Sequence, residues 1–234
     1  MNFDLIAFDA DDTLWQGEVY YREAQKALTQ LLTPWQNADE IHRVMFEIEM
    51  HNLPLYGYGV KAFTLSMLEA AVAISHGAVT GKEIEAILTL GQGMLTAEIQ
   101  LQPFVVETLT SLTGTLPLMV ITKGDLLDQT AKVTRSGLAP FFQRVEVVND
   151  KTTATYAEIL QRYHLAPARF LMVGNSLRSD ILPVLELGGT AVYIPADTSW
   201  AHEDVADFDA DHQRFFELEH LGQLPGLLKT GFDS

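Results

Sequence analysis

The stretch FDADDTLWQG, residues 8–17, decides the fold. The apolar run Leu5–Phe8, which reaches into it, is typical of a short buried β-strand. Three carboxylates follow that strand at once: Asp9, Asp11 and Asp12. Carboxylates this close repel one another, and removing them from water costs several kcal/mol unless a cation or good hydrogen bonds compensate. The stretch therefore predicts a site at the end of a strand, completed by a positive charge.

The composition indicates a folded, soluble protein. The 234 residues suffice for a full hydrophobic core, and a hydrophobic fraction of 47% with 20% charged residues lies far from the disordered class. A formal net charge of -16 argues against nucleic acid or an anionic membrane as partner. The absence of cysteine excludes disulfides, thiolate zinc sites and a cysteine nucleophile.

The N-terminal sequence MNFDLIAFDADD carries acidic residues where a secretory signal would carry Lys or Arg. We therefore expect a cytoplasmic protein, either a monomer or a homodimer.

The segment from about Tyr20 to about Thr96 has apolar residues at helical spacing and no convincing strand. Breakers divide it into four parts, at Pro34, at Pro54 with Gly57 and Gly59, and at Gly77 with Gly81. We expect a small helical bundle over residues 16–96. The connection Asn52–Lys61, which carries Tyr56 and Tyr58, is predicted as a loop that either contacts a ligand or packs on the bundle.

After residue 103 short apolar strands alternate with amphipathic helices. The predicted strands are Leu116–Ile121, Val145–Val148, Phe170–Val173 and Thr190–Ile194, and the predicted helices are Leu126–Arg135, Thr152–Tyr163 and Asp180–Leu187. Apolar strands joined by helices indicate a parallel sheet covered on both faces. The predicted fold class is therefore α/β: a Rossmann-like parallel sheet core of residues 1–15 and 97–234, with an inserted all-helical domain of residues 16–96.

In open sheets of this kind the ligand lies beyond the carboxyl ends of the strands. The residues there are Asp9, Asp11 and Thr13; Thr122, Lys123 and Gly124; Asn149, Asp150 and Lys151; and Gly174, Asn175, Ser176 and Asp180. Carboxylates suit Mg²⁺, while Lys and helix-start amides suit phosphoryl oxygens. Asp9 and Asp11 point to the same side, so that one can attack phosphorus while the other moves protons.

These four strand-end motifs resemble those of the haloacid dehalogenase superfamily of phosphohydrolases. The family pattern Asp-x-Asp-x-Thr is met by Asp9, Asp11 and Thr13, the second-motif Thr by Thr122, the third-motif Lys by Lys151, and the acidic fourth motif by GNSLRSD, residues 174–180. The insert between the first two motifs resembles the helical C1-type cap of the family. The resemblance implies a Mg²⁺-dependent phosphomonoester hydrolase acting on a small phosphorylated metabolite.

The resemblance also implies roles for the acidic residues. Asp9 would be the nucleophile that forms an aspartyl-phosphate intermediate. Asp11 would protonate the leaving group and then deprotonate the attacking water. Mg²⁺ would be bound by the Asp9 carboxylate, the Asp11 backbone carbonyl and Asp180, and would offset the repulsion between carboxylate and phosphate.

Further residues are implied to bind the substrate. Thr122, with Lys123 and Gly124 beside it, would hydrogen-bond the transferring phosphoryl group, and Lys151 would neutralise it. Asn175 stands where many family members carry an acid, so the site loses one negative charge and is expected to bind Mg²⁺ more weakly. We place Asn175 with the substrate-binding residues.

Three other functions stay open at this point. A C-halogen hydrolase of the same superfamily is favoured by Asn175 alone and disfavoured by Asp11, since those enzymes resemble this chain but lack the second carboxylate of the first motif. A phosphosugar mutase would share the intermediate. A non-enzymatic phospho-Asp signalling receiver also uses Asp, Thr and Lys, but its phosphorylated Asp lies on a later strand.

Two acidic features receive plain structural interpretations. Asp12 falls on the opposite face from Asp9 and Asp11 and is predicted to cap or hydrogen-bond locally. The run Asp207, Asp209, Asp211 lacks the sixth-position Gly and the twelfth-position Glu of a calcium loop, and is predicted as a charged surface segment.

Overall fold

A computed structural model describes residues 2–196, 200, 205, 208 and 212–230. The chain divides into two compact units, one formed by Met1–Glu18 with Ile99–Ser234 and the other by Val19–Glu98. The predicted α/β class is confirmed, since the described strands form one parallel sheet in the first unit. The run of Asp207, Asp209 and Asp211 lies outside the described residues.

The sheet of the α/β unit has the strand order β3-β2-β1-β4-β5-β6 over the described residues. Its strands are β1 Leu5–Phe8, β2 Leu118–Lys123, β3 Arg144–Val148, β4 Phe170–Gly174, β5 Thr190–Tyr193 and β6 Phe215–Glu217. The helices of this unit are α5 Val105–Leu112, α6 Leu126–Arg135, α7 Thr153–Arg162, α8 Leu182–Glu186 and α9 Leu224–Thr230. Strand β1, which carries the first motif, is thereby central in the sheet.

Both faces of the sheet are buried, because successive side chains of a strand point to opposite sides. In β1, Ile6 and Phe8 pack with α5, α6 and α9, whereas Leu5 and Ala7 pack with α7 and α8. Each fully buried large side chain contributes about 1.5–3 kcal/mol. Two-sided burial explains why these strands are apolar throughout rather than alternating.

The second unit is helical throughout its described elements. It contains α1 Glu18–Leu32, of which Val19 onward belongs here, α2 Ala38–Tyr56, α3 Val60–Ile74 and α4 Gly81–Thr96. Asn37 caps the start of α2, and Thr80 with Glu83 forms a capping box at the start of α4. Helix α3 packs against α2 and α4 around a core of its own.

The predicted loop Asn52–Lys61 is wrong at both ends, because α2 continues through Pro54 to Tyr56 and α3 begins at Val60. Pro54 lies in the last turn of the helix, where its missing N–H costs a single backbone bond. The buried Asn52 amide also holds that turn against α3: it donates to Ser66 Oγ at 3.2 Å and to Glu69 Oε2 at 2.8 Å. The connection is reduced to residues 57–59.

Other element boundaries differ by a few residues. Strand β2 lies two residues later than predicted, β5 ends one residue earlier, and β6 was not predicted. In place of the predicted helix Asp180–Leu187, the chain forms a single π-helical turn over Leu177–Ile181 and then α8. The π-helical turn matters for the site, because it contains Asp180.

Candidate active site

The predicted motifs lie on neighbouring strands. In the sheet order, β1 stands between β2 and β4, and Asp9 directly follows β1. Lys123 ends β2, while Asn175 directly follows β4. Because the strands are parallel, their carboxyl ends meet at one edge of the sheet.

Lys151 links two motifs through a buried double ion pair. Its Nζ lies 2.6 Å from Asp180 Oδ1 and also donates to Asp9 Oδ1. The Lys151 side chain is only 1% exposed, and Asp180 is equally buried. A lysine deprived of water in this way is held by charge, and it fixes the orientation of both carboxylates.

The ionisation of this cluster follows from its charge count. Burial raises the pKa of Asp9 to about 7. The charge of Lys151 lowers this pKa, but the repulsion of Asp180 offsets part of that effect. Burial alone would lower the pKa of Lys151, but the two carboxylates outweigh it and raise that pKa. Two carboxylates share one ammonium, so the cluster can accept a further cation or proton.

Asp180 reaches this position through the local backbone. Its Oδ2 accepts from the Ser176 N–H at 3.0 Å, and Ser176 Oγ in turn accepts from the Ser179 N–H at 2.9 Å. A Cβ at Gly174 would lie 2.3 Å from the Asp180 carboxyl carbon, which no side chain tolerates. Gly174 is therefore required for the approach of Asp180 to β4.

Thr13 and Asn175 contact the second oxygen of Asp9. Thr13 Oγ1 donates to Asp9 Oδ2 at 3.1 Å. With its amide oriented to satisfy its neighbours, Asn175 Nδ2 lies 3.1 Å from Asp9 Oδ2 and 3.3 Å from the Asp11 carbonyl oxygen, both of which it can donate to. The Asp9 carboxylate and the Asp11 carbonyl thus converge on one point.

This convergence fits a hard cation. The Asp9 carboxylate, the Asp11 carbonyl and, after an amide rotation, the Asn175 oxygen are donors of the kind that Mg²⁺ prefers. In the described part of the chain no three His, Cys, Asp or Glu side chains cluster as metal ligands, so the set depends on a carbonyl and an amide. The donor set suits Mg²⁺, but it carries less negative charge than three carboxylates would supply.

Asp11 is held by three side chains that are not among the predicted site residues. Trp15 Nε1 donates to Asp11 Oδ1 at 2.8 Å, and Gln129 Nε2 donates to Asp11 Oδ2 at 2.8 Å. Lys132 Nζ lies 3.1 Å from Oδ1 and 3.4 Å from Oδ2. Burial alone would raise the pKa of Asp11, but the charge of Lys132 and these hydrogen bonds lower it.

The second-motif residues are already engaged. Thr122 Oγ1 donates to Gln129 Oε1 at 3.2 Å, and Lys123 Nζ donates to Ser179 Oγ at 2.9 Å. The Gly124 N–H donates to the Val148 carbonyl at 3.1 Å, so it is used within the sheet edge. Contact of these residues with a phosphoryl group stays a prediction. The Gly124 N–H is not available for such a contact, because it already donates to Val148.

The local interpretation of Asp12 is confirmed. Its φ of 63° lies in the left-handed region, and its carboxylate accepts from the Gly17 and Glu18 N–H groups at 2.9 Å each. It therefore caps the turn that leads into α1.

For residues 52–61, contact with a ligand stays a prediction. In the described part of the chain no helix is both long and apolar enough to cross a membrane.

The chain is similar to known hydrolases. A family model described as haloacid dehalogenase-like hydrolase matches residues 3–188. The chain is 26% identical over 212 residues to a glyceraldehyde 3-phosphate phosphatase of Methanothermobacter thermautotrophicus. The aligned region covers 85% of this chain and 88% of that relative.

Solved structures agree with the family match. A haloacid dehalogenase-like family hydrolase from Xanthomonas campestris superimposes with a TM-score of 0.87 at 34% identity, covering 97% of this chain and 91% of that one. A 2-haloacid dehalogenase from Pseudomonas syringae pv. Tomato has a TM-score of 0.65 at 24% identity, covering 97% and 99%. The second of these similarities concerns the fold alone.

Proposed function

Because the chain belongs to the haloacid dehalogenase-like hydrolases, we propose that it is a phosphomonoester hydrolase acting on a small phosphorylated metabolite. The observation that carries the proposal is the buried Lys151, paired with both Asp9 and Asp180. A carboxylate oriented by a lysine is suited to attack phosphorus, and the same ammonium can neutralise phosphoryl oxygens. The phosphatase among the relatives supports this choice of substrate class.

The proposed reaction has two steps. Lys132 and its neighbours favour the ionised form of Asp11, so Asp11 first takes up the proton of the bound phosphomonoester monoanion. An Asp9 carboxylate oxygen then bonds to phosphorus while the ester P–O bond breaks, and the leaving oxygen takes that proton from Asp11. Asp11, now ionised, takes a proton from a water molecule whose oxygen bonds to phosphorus. The aspartyl-phosphate bond then breaks, which releases phosphate and restores the Asp9 carboxylate and the Asp11 proton.

We assign Mg²⁺ to the point where the Asp9 carboxylate and the Asp11 carbonyl converge, next to the Asn175 amide. Asp180, which shares Lys151 with Asp9, is proposed as the further acidic ligand. When bound, Mg²⁺ supplies positive charge that offsets the repulsion between the carboxylate and the phosphoryl oxygens. Lys151 and Thr13 orient Asp9 in every step. The helical unit Val19–Glu98 is proposed to correspond to the cap domain of the family.

A C-halogen hydrolase is the second candidate, favoured by Asn175 in place of an acid. A halide leaves without a proton, so that reaction gives no task to a second carboxylate held by Trp15, Gln129 and Lys132. Asp11 therefore favours the phosphatase.

Halide release from 2-chloropropionate would instead support the dehalogenase. Isomerisation of a phosphosugar would support the mutase, and a stable phosphoprotein without turnover would support the receiver.

The test is a phosphatase screen over a panel of phosphorylated metabolites, with and without Mg²⁺. We expect Asp9→Asn to lose at least about a thousandfold in turnover, the scale of a missing nucleophile. Asp12→Asn is the matched control: it makes the same change three residues away, in a carboxylate that only caps a turn. Metal-dependent turnover retained in Asp9→Asn would refute the assignment.

A further inference from the structure

Helix α6 buries three polar side chains and exposes two leucines. Asp128, Gln129 and Lys132 are buried beside the apolar Val133, whereas Leu126 and Leu127 are 68% and 72% exposed. A helix packed for stability alone would bury such leucines in preference to polar side chains. Conflicts of this kind between sequence pattern and burial are expected at functional positions.

The buried face of α6 is directed at Asp11. Gln129 Nε2 contacts one carboxylate oxygen at 2.8 Å, and Lys132 Nζ contacts both, at 3.1 and 3.4 Å. Gln129 is itself oriented, because its Oε1 accepts from Thr122 Oγ1 at 3.2 Å. Donors on both oxygens define the plane and the rotation of the carboxylate, which a single hydrogen bond would leave free.

Lys132 stands between two carboxylates. Its Nζ lies 3.5 Å from Asp128 Oδ2, a buried oxygen that makes no hydrogen bond among the described residues. Removing these charges from water is costly, and a buried ion pair is often no more stabilising than an apolar pair of the same volume. The benefit of the arrangement must therefore be sought in the position that it gives to Asp11.

We propose that Gln129 and Lys132 are positioning residues that hold the Asp11 carboxyl group where it exchanges a proton with the leaving oxygen. The inference rests on the proposed phosphatase function. In the first step the ester P–O bond breaks and the Asp11 proton passes to the leaving oxygen, so a misplaced carboxyl group slows only departures that need protonation. Activated leaving groups depart without that help.

The experiment compares two substrates of nearly the same shape, p-nitrophenyl phosphate and phenyl phosphate. The phenolate of the second is the poorer leaving group and depends more on a proton donor. The variants are Lys132→Met, Gln129→Met and the conservative Lys132→Arg. We expect each methionine variant to lower kcat for phenyl phosphate about tenfold more than kcat for p-nitrophenyl phosphate, and Lys132→Arg to restore part of the difference.

The ratio of the two rates is independent of the amount of folded protein in a preparation. Should Lys132→Met fail to fold, Gln129→Met makes the same test without removing a charge. Thr108→Val is the matched control, because it removes a buried hydrogen bond to the Leu221 carbonyl elsewhere in this unit and should leave the ratio unchanged.

Two results would overturn the inference, and they can be told apart. If the wild type hydrolyses both esters but the α6 variants lose both equally, the residues are merely structural and the proposed function stands. If the wild type hydrolyses neither ester nor any phosphorylated metabolite of the panel, the proposed function fails and this inference fails with it.

Discussion

Asn175 occupies the position where a single side chain sets the charge of the site. Its amide nitrogen lies within hydrogen-bond distance of Asp9 Oδ2 and the Asp11 carbonyl oxygen, so it bridges two acceptors. An amide stabilises this geometry without a metal, whereas a carboxylate would add repulsion to a cluster already short of positive charge. At the proposed Mg²⁺ site, an amide in place of an acid would lower the affinity for the cation and stabilise the cation-free protein.

We predict that Asn175→Asp binds Mg²⁺ about tenfold more tightly and is less stable without it, because the added carboxylate attracts the cation and repels Asp9. Titration calorimetry gives the affinity, and thermal unfolding in chelator gives the stability. Asn149→Asp, which adds the same charge after β3, is the control. Equal Mg²⁺ affinity in Asn175→Asp and the wild type would remove Asn175 from the metal site.

At the scale of elements, the contact between α3 and α4 depends on a missing side chain. A Cβ at Gly91 would lie 2.2 Å from Thr64 Oγ1, whereas a Cβ at Gly93 in the same helix meets nothing within 4 Å. Glycine is unfavourable inside a helix by about 0.5–1 kcal/mol relative to alanine. Gly91 is thus retained for packing, and Gly93 is not.

We predict that Gly91→Ala destabilises the protein and that Gly93→Ala stabilises it by about 0.5–1 kcal/mol, since only the first creates a clash. Urea unfolding measures both. The double variant Gly91→Ala/Thr64→Ala should recover most of the loss, because it removes the atoms that clash. Stabilisation by Gly91→Ala alone would show that Thr64 can move aside.

The predictability of each element depends on how much of its information is local. Strand β1 and helix α6 lie where the sequence places them, because apolar runs and breakers mark them. Pro54 is a helix breaker by its sequence, but α2 continues through it. The contacts of Asn52 with α3 hold the last turn of α2, and such contacts between helices are not visible in the sequence. The three-residue strand β6 is too short for any pattern to reveal.

The candidate site shows the same limit. Motif residues such as Asp9 and Lys151 carry their own signal, because their spacing after strands is unusual. Lys132 and Gln129 carry almost none: buried polar residues on a helix look like a solvated face until the sheet places them beside Asp11. The sequence offers only their shared helix face, which by itself favours exposure.

At the scale of the whole molecule, the net charge of -16 opposes folding by self-repulsion, and a buried carboxylate adds to that cost. Burial raises the pKa of Asp9 from 3.8 to about 7. The folded state therefore holds this proton more tightly than the unfolded state does. The stability contributed by the protonated form is present below the unfolded pKa and is lost as the pH rises through the folded value.

We predict that Asp9→Asn, which cannot ionise, becomes more stable than the wild type as the pH rises from 3.8, the pKa of an unfolded Asp, to about 7, the pKa of Asp9 in the fold. The gain in the free energy of unfolding is of the order of a few kcal/mol at the upper end of this range. Urea unfolding in chelator at about pH 5 and about pH 8 measures the difference, which should be larger at the higher pH. Added Mg²⁺ should reduce it, because a bound cation stabilises only the ionised wild-type carboxylate. Parallel stability curves for the two proteins would show that Lys151 alone neutralises Asp9.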